Sequence, residues 1–213
     1  MEVIMIRDFL PRISVPDPIS PNFILYAIAV IIATAVSSFV IARISANRFD
    51  GNRKRAIFAF MGISTLSAAA CVVFYGMTEA AVRGILFCLI LLYASYEDIK
   101  RRECGDFVHV MILVAALITV PLSSIPHMFF SAIVCGGIML LTMLLTKCSI
   151  GGADVKLATV CTFFLESVRG FSGLLIGMLL AVFFNAFKKE KQKAFPLIPY
   201  LSVGFAAAYF IQV

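Results

Sequence analysis

The feature that most constrains this chain is a succession of uncharged apolar stretches, several of about 16 or more residues, that begins at Asn22 and continues almost to the C-terminus. Asn22 to Ala42 alone is long enough to cross about 30 Å of hydrocarbon as a helix, and Arg43 closes it. Such stretches leave no part over for a soluble domain. With 62% apolar and 14% charged residues, the chain carries more hydrophobic surface than one water-soluble core of 213 residues can hide. The sequence therefore predicts an all-α, polytopic integral membrane helix bundle embedded in the lipid bilayer. Residues 22–213 read as one transmembrane domain. The preceding residues 1–21 carry Glu2, Arg7, Asp8, Arg12, Asp17 and four prolines without a continuous apolar core. They read as an extracytoplasmic segment rather than a cleavable signal peptide, so the first apolar run is expected to stay as an anchor.

About eight spans are expected. The first is Asn22 to Ala42, the second Ala56 to Met77, the third about Ala80 to Tyr96 and the fourth Phe107 to Leu122. Pro121 and Pro126 mark a tight turn. The fifth runs from about His127 to Thr146, a short sixth from Val155 to about Val168, the seventh from Gly170 to Phe187, and the eighth from near Pro196 to the C-terminus. Short loops rich in Lys and Arg stay in the cytoplasm. Placing both termini outside puts Arg43, Arg48, Arg53, Lys54, Arg55, Lys100, Arg101, Arg102, Lys147, Lys156, Lys188, Lys189, Lys191 and Lys193 inside, 14 of the 18 basic residues. Only Arg7, Arg12, Arg83 and Arg169 fall outside. No internal repeat is visible, which gives no support to a transporter built from paired repeats.

The net charge of +6 follows from these loop residues, so it reads as a topology signal and not as a nucleic-acid surface. The six cysteines contain no C-x-x-C pair and mostly fall inside apolar segments, where they read as small buried hydrophobes. His109 and His127 lie near opposite membrane faces without Cys or carboxylate partners at ligand spacing, so no metal or other cofactor is expected.

In this topology Asp98, at the end of the third span, and Asp154, at the start of the sixth, share one depth at the cytoplasmic boundary. Each has a plain structural reading: Asp154 as a helix cap after Gly-Gly-Ala, and Asp98 as a loop charge beside Lys100, Arg101 and Arg102. Asp106 reads as the N-cap of the fourth helix, Lys156 as a side chain snorkelling to headgroups, and Glu166 as an i,i+3 partner of Arg169.

The wording around the two aspartates adds a second reading. Asp98-Ile-Lys-Arg-Arg-Glu-Cys-Gly-Asp106 resembles the first aspartate motif of the type IV prepilin peptidases, and Gly151-Gly-Ala-Asp154-Val-Lys156-Leu-Ala158 resembles their G-x-G-D-x-K motif. Ser37-Ser38-Phe39 is similar to the family's Gly-Ser-Phe, and Ala194-Phe-Pro-Leu-Ile-Pro-Tyr200 to its last-helix stretch. The chain departs from the pattern at Ala153, which stands for the second Gly, and at Cys104-Gly105, which stands for Ile/Leu-Pro. Its Arg43 to Arg55 loop is short and lacks paired C-x-x-C motifs.

The resemblance implies a membrane-embedded aspartic endopeptidase of the bacterial inner membrane that works without metal or cofactor. Asp98 and Asp154 would be its catalytic pair, with Gly151, Gly152, Lys156 and Asp106 in support. Its partner would be a prepilin or pseudopilin lying in the bilayer, whose short basic leader is cut after a Gly. N-methylation, which goes with the longer loop, is not expected. Two rival readings are a noncatalytic membrane subunit of a pilus or type II secretion machine, and a small transporter.

Overall fold

The computed structural model describes residues 21–49, 53–118, 120–145, 151–187 and 195–211. The expectations for the N-terminal segment, for Lys147, Lys188, Lys189, Lys191 and Lys193, and for Cys148 lie outside these residues. Seven α-helices follow in order: α1 (Pro21–Arg48), α2 (Arg53–Tyr75), α3 (Glu79–Arg101), α4 (Asp106–Leu117), α5 (Ile125–Leu145), α6 (Gly152–Ala186) and α7 (Ile198–Tyr209). A 3-10 turn, Leu122–Ser124, sits between Pro121 and Pro126, where the prolines predicted a turn. There is no strand among the described residues. The all-α, multi-pass architecture expected from the apolar runs is thus present.

The eight expected segments each coincide with a helical stretch, because α6 is two helices joined at a break. Glu166 has φ 65° and ψ −170°, which no helical residue adopts. The chain doubles back there: a Cβ on Gly170 would lie 2.9 Å from the Cα of Thr162, eight residues earlier. In a straight helix those residues would be about 12 Å apart along the axis. The break also explains why, among the described residues, the expected Glu166–Arg169 ion pair does not form; i,i+3 geometry requires an unbroken helix.

Helices 152–165 and 167–186 are therefore an antiparallel hairpin. Five stretches are long and apolar enough to cross a membrane, namely α1, α2, α3, 122–145 and α6, whereas α4 and α7 have 12 residues each. At 1.5 Å per residue those two cover about 18 Å. One boundary also moves. Arg43 does not close the first helix, because Ala46 and Phe49 beyond it are buried and the helix continues to Arg48.

On α1 and much of α2 the packing inverts the pattern of a soluble bundle. On α1 the buried residues are Thr34, Ser38, Ala42, Ser45 and Ala46, and on α2 they include Ala56, Ser64, Ala68 and Cys71, while Leu25, Ile32, Phe58 and Leu66 face outward. With lipid outside, large side chains gain nothing by turning inward, and small residues let backbones approach. Several hydroxyls close on carbonyls of the preceding turn, as Thr34 does on Val30 (2.8 Å). The tightest example joins α6 to α7, where Gly173 and Gly177 face Gly204; a Cβ on Gly204 would lie 2.7 Å from the Cα of Gly177.

Gly204→Ala is accordingly expected to lower the thermal unfolding midpoint in detergent by the equivalent of about 1–3 kcal/mol. Gly62→Ala, whose Cβ would meet nothing within 4 Å, should not lower it. Equal midpoints for the two variants would contradict the close α6–α7 approach.

Candidate active site

The two aspartates singled out in the sequence come together at one end of the bundle, where the C-terminus of α3 meets the N-termini of α4, α6 and α7. A helix start leaves backbone N–H groups without intrahelical partners, and a carboxylate is a suitable acceptor for them. Three such contacts build the site. The Ile198 N–H at the start of α7 donates to Oδ2 of Asp98 (3.2 Å). The Gly151 N–H, the N-cap of α6, donates to Oδ2 of Asp154 (3.1 Å). The Gly105 N–H, the N-cap of α4, donates to Oε2 of Glu97 (3.1 Å).

Asp98 is only 6% exposed because it continues the core register Phe87, Leu91, Ala94 of α3. It is not the solvated loop charge of its plain reading. Asp154 is half-buried and lies within electrostatic reach of Asp98. Its structural reading holds only in part: Gly151, not Asp154, is the N-cap of α6, and Asp154, the third helical residue, reaches back to accept the Gly151 N–H. Among the described residues, Oδ1 of Asp98 and Oδ1 of Asp154 make no hydrogen bond. Each carboxylate thus has one oxygen fixed by backbone and one available.

The supporting residues are rearranged relative to expectation. Asp106 is not the N-cap of α4: Gly105 holds that position, and Asp106 is the first helical residue. Its carboxylate instead pairs with Lys156 (Nζ to Oδ1, 2.8 Å), so Lys156 does not snorkel but ties the start of α6 to the start of α4. The hydrogen bond and charge of Lys156 hold the Asp106 carboxyl below its ordinary value. Gly151 makes no room for a neighbouring helix; a Cβ there would lie 3.0 Å from Oδ2 of Asp154, so its bareness serves the cap. Gly152 faces open space among the described residues. Ala153 is not among the residues with positive φ, so alanine in place of the motif's second Gly meets no backbone strain.

Glu97 was missed in the sequence. It is 4% exposed and fixes the loop between α3 and α4, in which Arg102 ends α3 in the left-handed conformation (φ 57°) and its N–H returns to the Asp98 carbonyl. The signal was helical register, since Ile90, Ala94 and Glu97 lie on one buried stripe. Cys104 sits in this loop amid four carboxylates. Burial first, and then the charges of Glu97, Asp98, Asp154 and Asp106, push its thiol up to about 12. Of the two other motif stretches, the last-helix one reaches the site through Ile198, whereas Ser37, Ser38 and Phe39 lie on α1, away from both aspartates. His109 is buried on α4 with neither ring nitrogen hydrogen-bonded, and among the described residues no three His, Cys, Asp or Glu side chains gather as a metal site.

Comparison with known proteins agrees with this geometry. Residues 85–187 match the type IV leader peptidase family. The matched segment runs from α3 to the end of α6 and contains both Asp98 and Asp154. No curated protein and no solved structure gives a significant match to the chain.

The carboxylate cluster has a consequence that can be read without any substrate. In a chain whose other cysteines are replaced, Cys104 at pH 8 should react with a thiolate-selective alkylating reagent roughly a thousandfold more slowly than a thiol of pKa about 8.5. Replacing Asp98 and Asp154 together by Asn should speed that labelling, because two of the charges that keep the thiol protonated are gone. An ordinary rate for Cys104 in the otherwise unchanged protein would contradict its burial in the loop, and no change of rate in the double variant would show that the two aspartates are not beside it.

Proposed function

We propose, for a chain whose central segment is of the type IV leader peptidase family, that it is a membrane-embedded aspartic endopeptidase with Asp98 and Asp154 as its catalytic pair. The substrate is a prepilin or pilin-like protein, an apolar helix in the bilayer preceded by a short basic leader, and cleavage falls after a Gly where the leader meets the membrane. The observation that carries this reading is the meeting of the two aspartates at one end of the bundle, each with one carboxylate oxygen unengaged.

Two carboxylates that close share a proton, because adjacent like charges cannot both ionise without cost. The ionised member takes a proton from a water that attacks the scissile carbonyl carbon. The protonated member donates to the carbonyl oxygen, and collapse of the tetrahedral intermediate expels the amine after it is protonated. The pair titrates as a unit, so the two roles belong to the dyad. Lys156 and Asp106 hold the two helix starts together at its edge. With no cysteine pairs in the 43–55 loop, the new N-terminus is left unmethylated.

The accompanying topology has eight traverses, both termini outside, and the dyad facing the cytoplasm of a bacterial inner membrane. It is supported by the alternating direction of the helices. Asp98 meets Ile198 and Asp106 meets Lys156 at one end, while Arg83 meets Ala116 and Tyr209 meets Ala80 at the other. Cysteine-accessibility labelling should find positions 52, 103 and 192 in the cytoplasm and position 79 and the C-terminus outside. Position 103 and the C-terminus on the same side would overturn the eight-traverse arrangement.

The enzymatic reading is tested with purified protein and a prepilin in detergent or vesicles. Asp98→Asn and Asp154→Asn should each abolish cleavage while membrane insertion and helix content stay intact, since an amide oxygen still accepts the Ile198 or Gly151 N–H. Asp106→Asn should retain most activity, because it loses only an exposed, solvent-screened ion pair. Processing by the double Asp98→Asn, Asp154→Asn variant would sink the mechanism. No processing by the unchanged protein would favour the noncatalytic subunit.

A further inference from the structure

We propose that the apolar groove formed by α1, α3 and α4 holds one anionic phospholipid, with its phosphate at Arg48 and Arg101 and an acyl chain running down the groove. Both α1 and α4 pack on α3 and approach each other through Arg48 and Phe107 at the mouth, which leaves a trough along α3. The trough encloses about 560 Å³, within the range of about 300–1,000 Å³ typical of pockets that bury a whole ligand. Its walls are almost wholly apolar, including Ile41, Leu86, Ile90, Val110, Val114 and Ile118.

The mouth of the trough differs in character from its walls. Arg48 lies there: its guanidinium is 5.9 Å from the centroid of the Phe107 ring, and its Nη1 donates to the Tyr93 hydroxyl at 3.5 Å. Phe107 and Tyr93 both line the groove. Arg101 joins it, donating to the Arg48 carbonyl (3.2 Å) and stacking on Phe49. Among the described residues neither guanidinium has a carboxylate partner. Glu97, the acid one turn beyond Tyr93, is engaged by the Gly105 N–H. Two arginines held in place by aromatic rings, with no carboxylate partner among the described residues, complement an anionic head.

A third observation fixes the polarity of the occupant. Ser45 lines the groove, is fully buried, and its Oγ has no hydrogen-bond partner. It lies three residues before Arg48 on α1, about 4.5 Å deeper along the helix axis. Descending the groove, a ligand meets cation, then hydroxyl donor, then hydrocarbon. A glycerophospholipid presents phosphate, ester carbonyl and acyl chain in that order. A basic peptide is disfavoured at this mouth by the same two guanidinium groups, and it would find the carboxylates around Cys104 instead.

The test uses the full chain, exchanged in mild detergent against equimolar phosphatidylglycerol and phosphatidylcholine of identical acyl composition and examined by native mass spectrometry. One phosphatidylglycerol should be retained in preference to phosphatidylcholine. Arg48→Gln should reduce that retention roughly fivefold. Val114→Trp, which fills the groove from a position already 59% exposed, should abolish it, and an unchanged thermal midpoint for both variants shows that the bundle is intact. Equal retention of the two lipids, no retained lipid, or unchanged retention in either variant would overturn the assignment. So would a photoreactive group at position 114 that captures a transmembrane peptide in place of lipid.

Discussion

The arrangement of this bundle depends on how the backbone N–H groups at three helix starts are satisfied at one end. Each is met by a carboxylate: Gly105 by Glu97, Ile198 by Asp98 and Gly151 by Asp154. The penalty for leaving such a group unsatisfied is largest where it is withdrawn from water, as at Ile198, which is 1% exposed. The acids therefore belong to the fold before they belong to any chemistry. Asp98 does most in this respect, because its contact spans one hundred residues of sequence and seats α7 against α3.

That dual role explains how carboxylates can be held at defined positions yet remain available. Each aspartate commits one oxygen to a fixed backbone donor, which sets the orientation of the carboxyl plane, and leaves the second oxygen directed elsewhere. Preorganisation of this kind needs no flexible loop to close. The Lys156–Asp106 pair is exposed and contributes little to stability, but it connects the two helix starts that carry the aspartate motifs. The supporting framework is correspondingly rigid, since Gly173, Gly177 and Gly204 bring α6 and α7 to backbone contact directly behind the site.

Much of this was legible in the sequence where the signal is local. Every apolar run became a helical segment, and even the short sixth run, divided from the seventh near Glu166, is a separate helix. Apolar length reports helix existence well because hydrocarbon leaves few alternatives. Boundaries were less legible: Arg43 reads as a stop, but burial of Ala46 and Phe49 carries α1 another turn. Asp106 looked like an N-cap because an acid preceding an apolar run usually is one, and only the position of Lys156, fifty residues on, shows what its carboxylate meets. Glu97 was hidden within a run of charges, although its register with Ile90 and Ala94 placed it inward. The groove left no trace in the sequence, since it arises between α1 and α4, which both pack on α3 and approach each other through Arg48 and Phe107 at the mouth.

The same end of α3 divides two electrostatic surroundings, and the partners that each charged group finds on neighbouring helices make that division. Glu97 and Arg101 are four residues apart on one helix face, yet each is engaged elsewhere: Glu97 and Asp98 accept the N–H groups at the starts of α4 and α7, whereas Arg101 donates to the Arg48 carbonyl and stacks on Phe49 at the end of α1. Anionic and cationic groups are thus held within one or two turns of each other without neutralising one another. The Tyr93–Phe107 ring pair, with centroids 5.4 Å apart, stands between the apolar groove and the loop that carries Cys104. An amphiphile with a negative head and a peptide with a positive head would accordingly be drawn to different sides of the same helix end. In a low-dielectric setting that sorting by sign is stronger than it would be in water, because the attraction between charges grows as the effective dielectric constant falls.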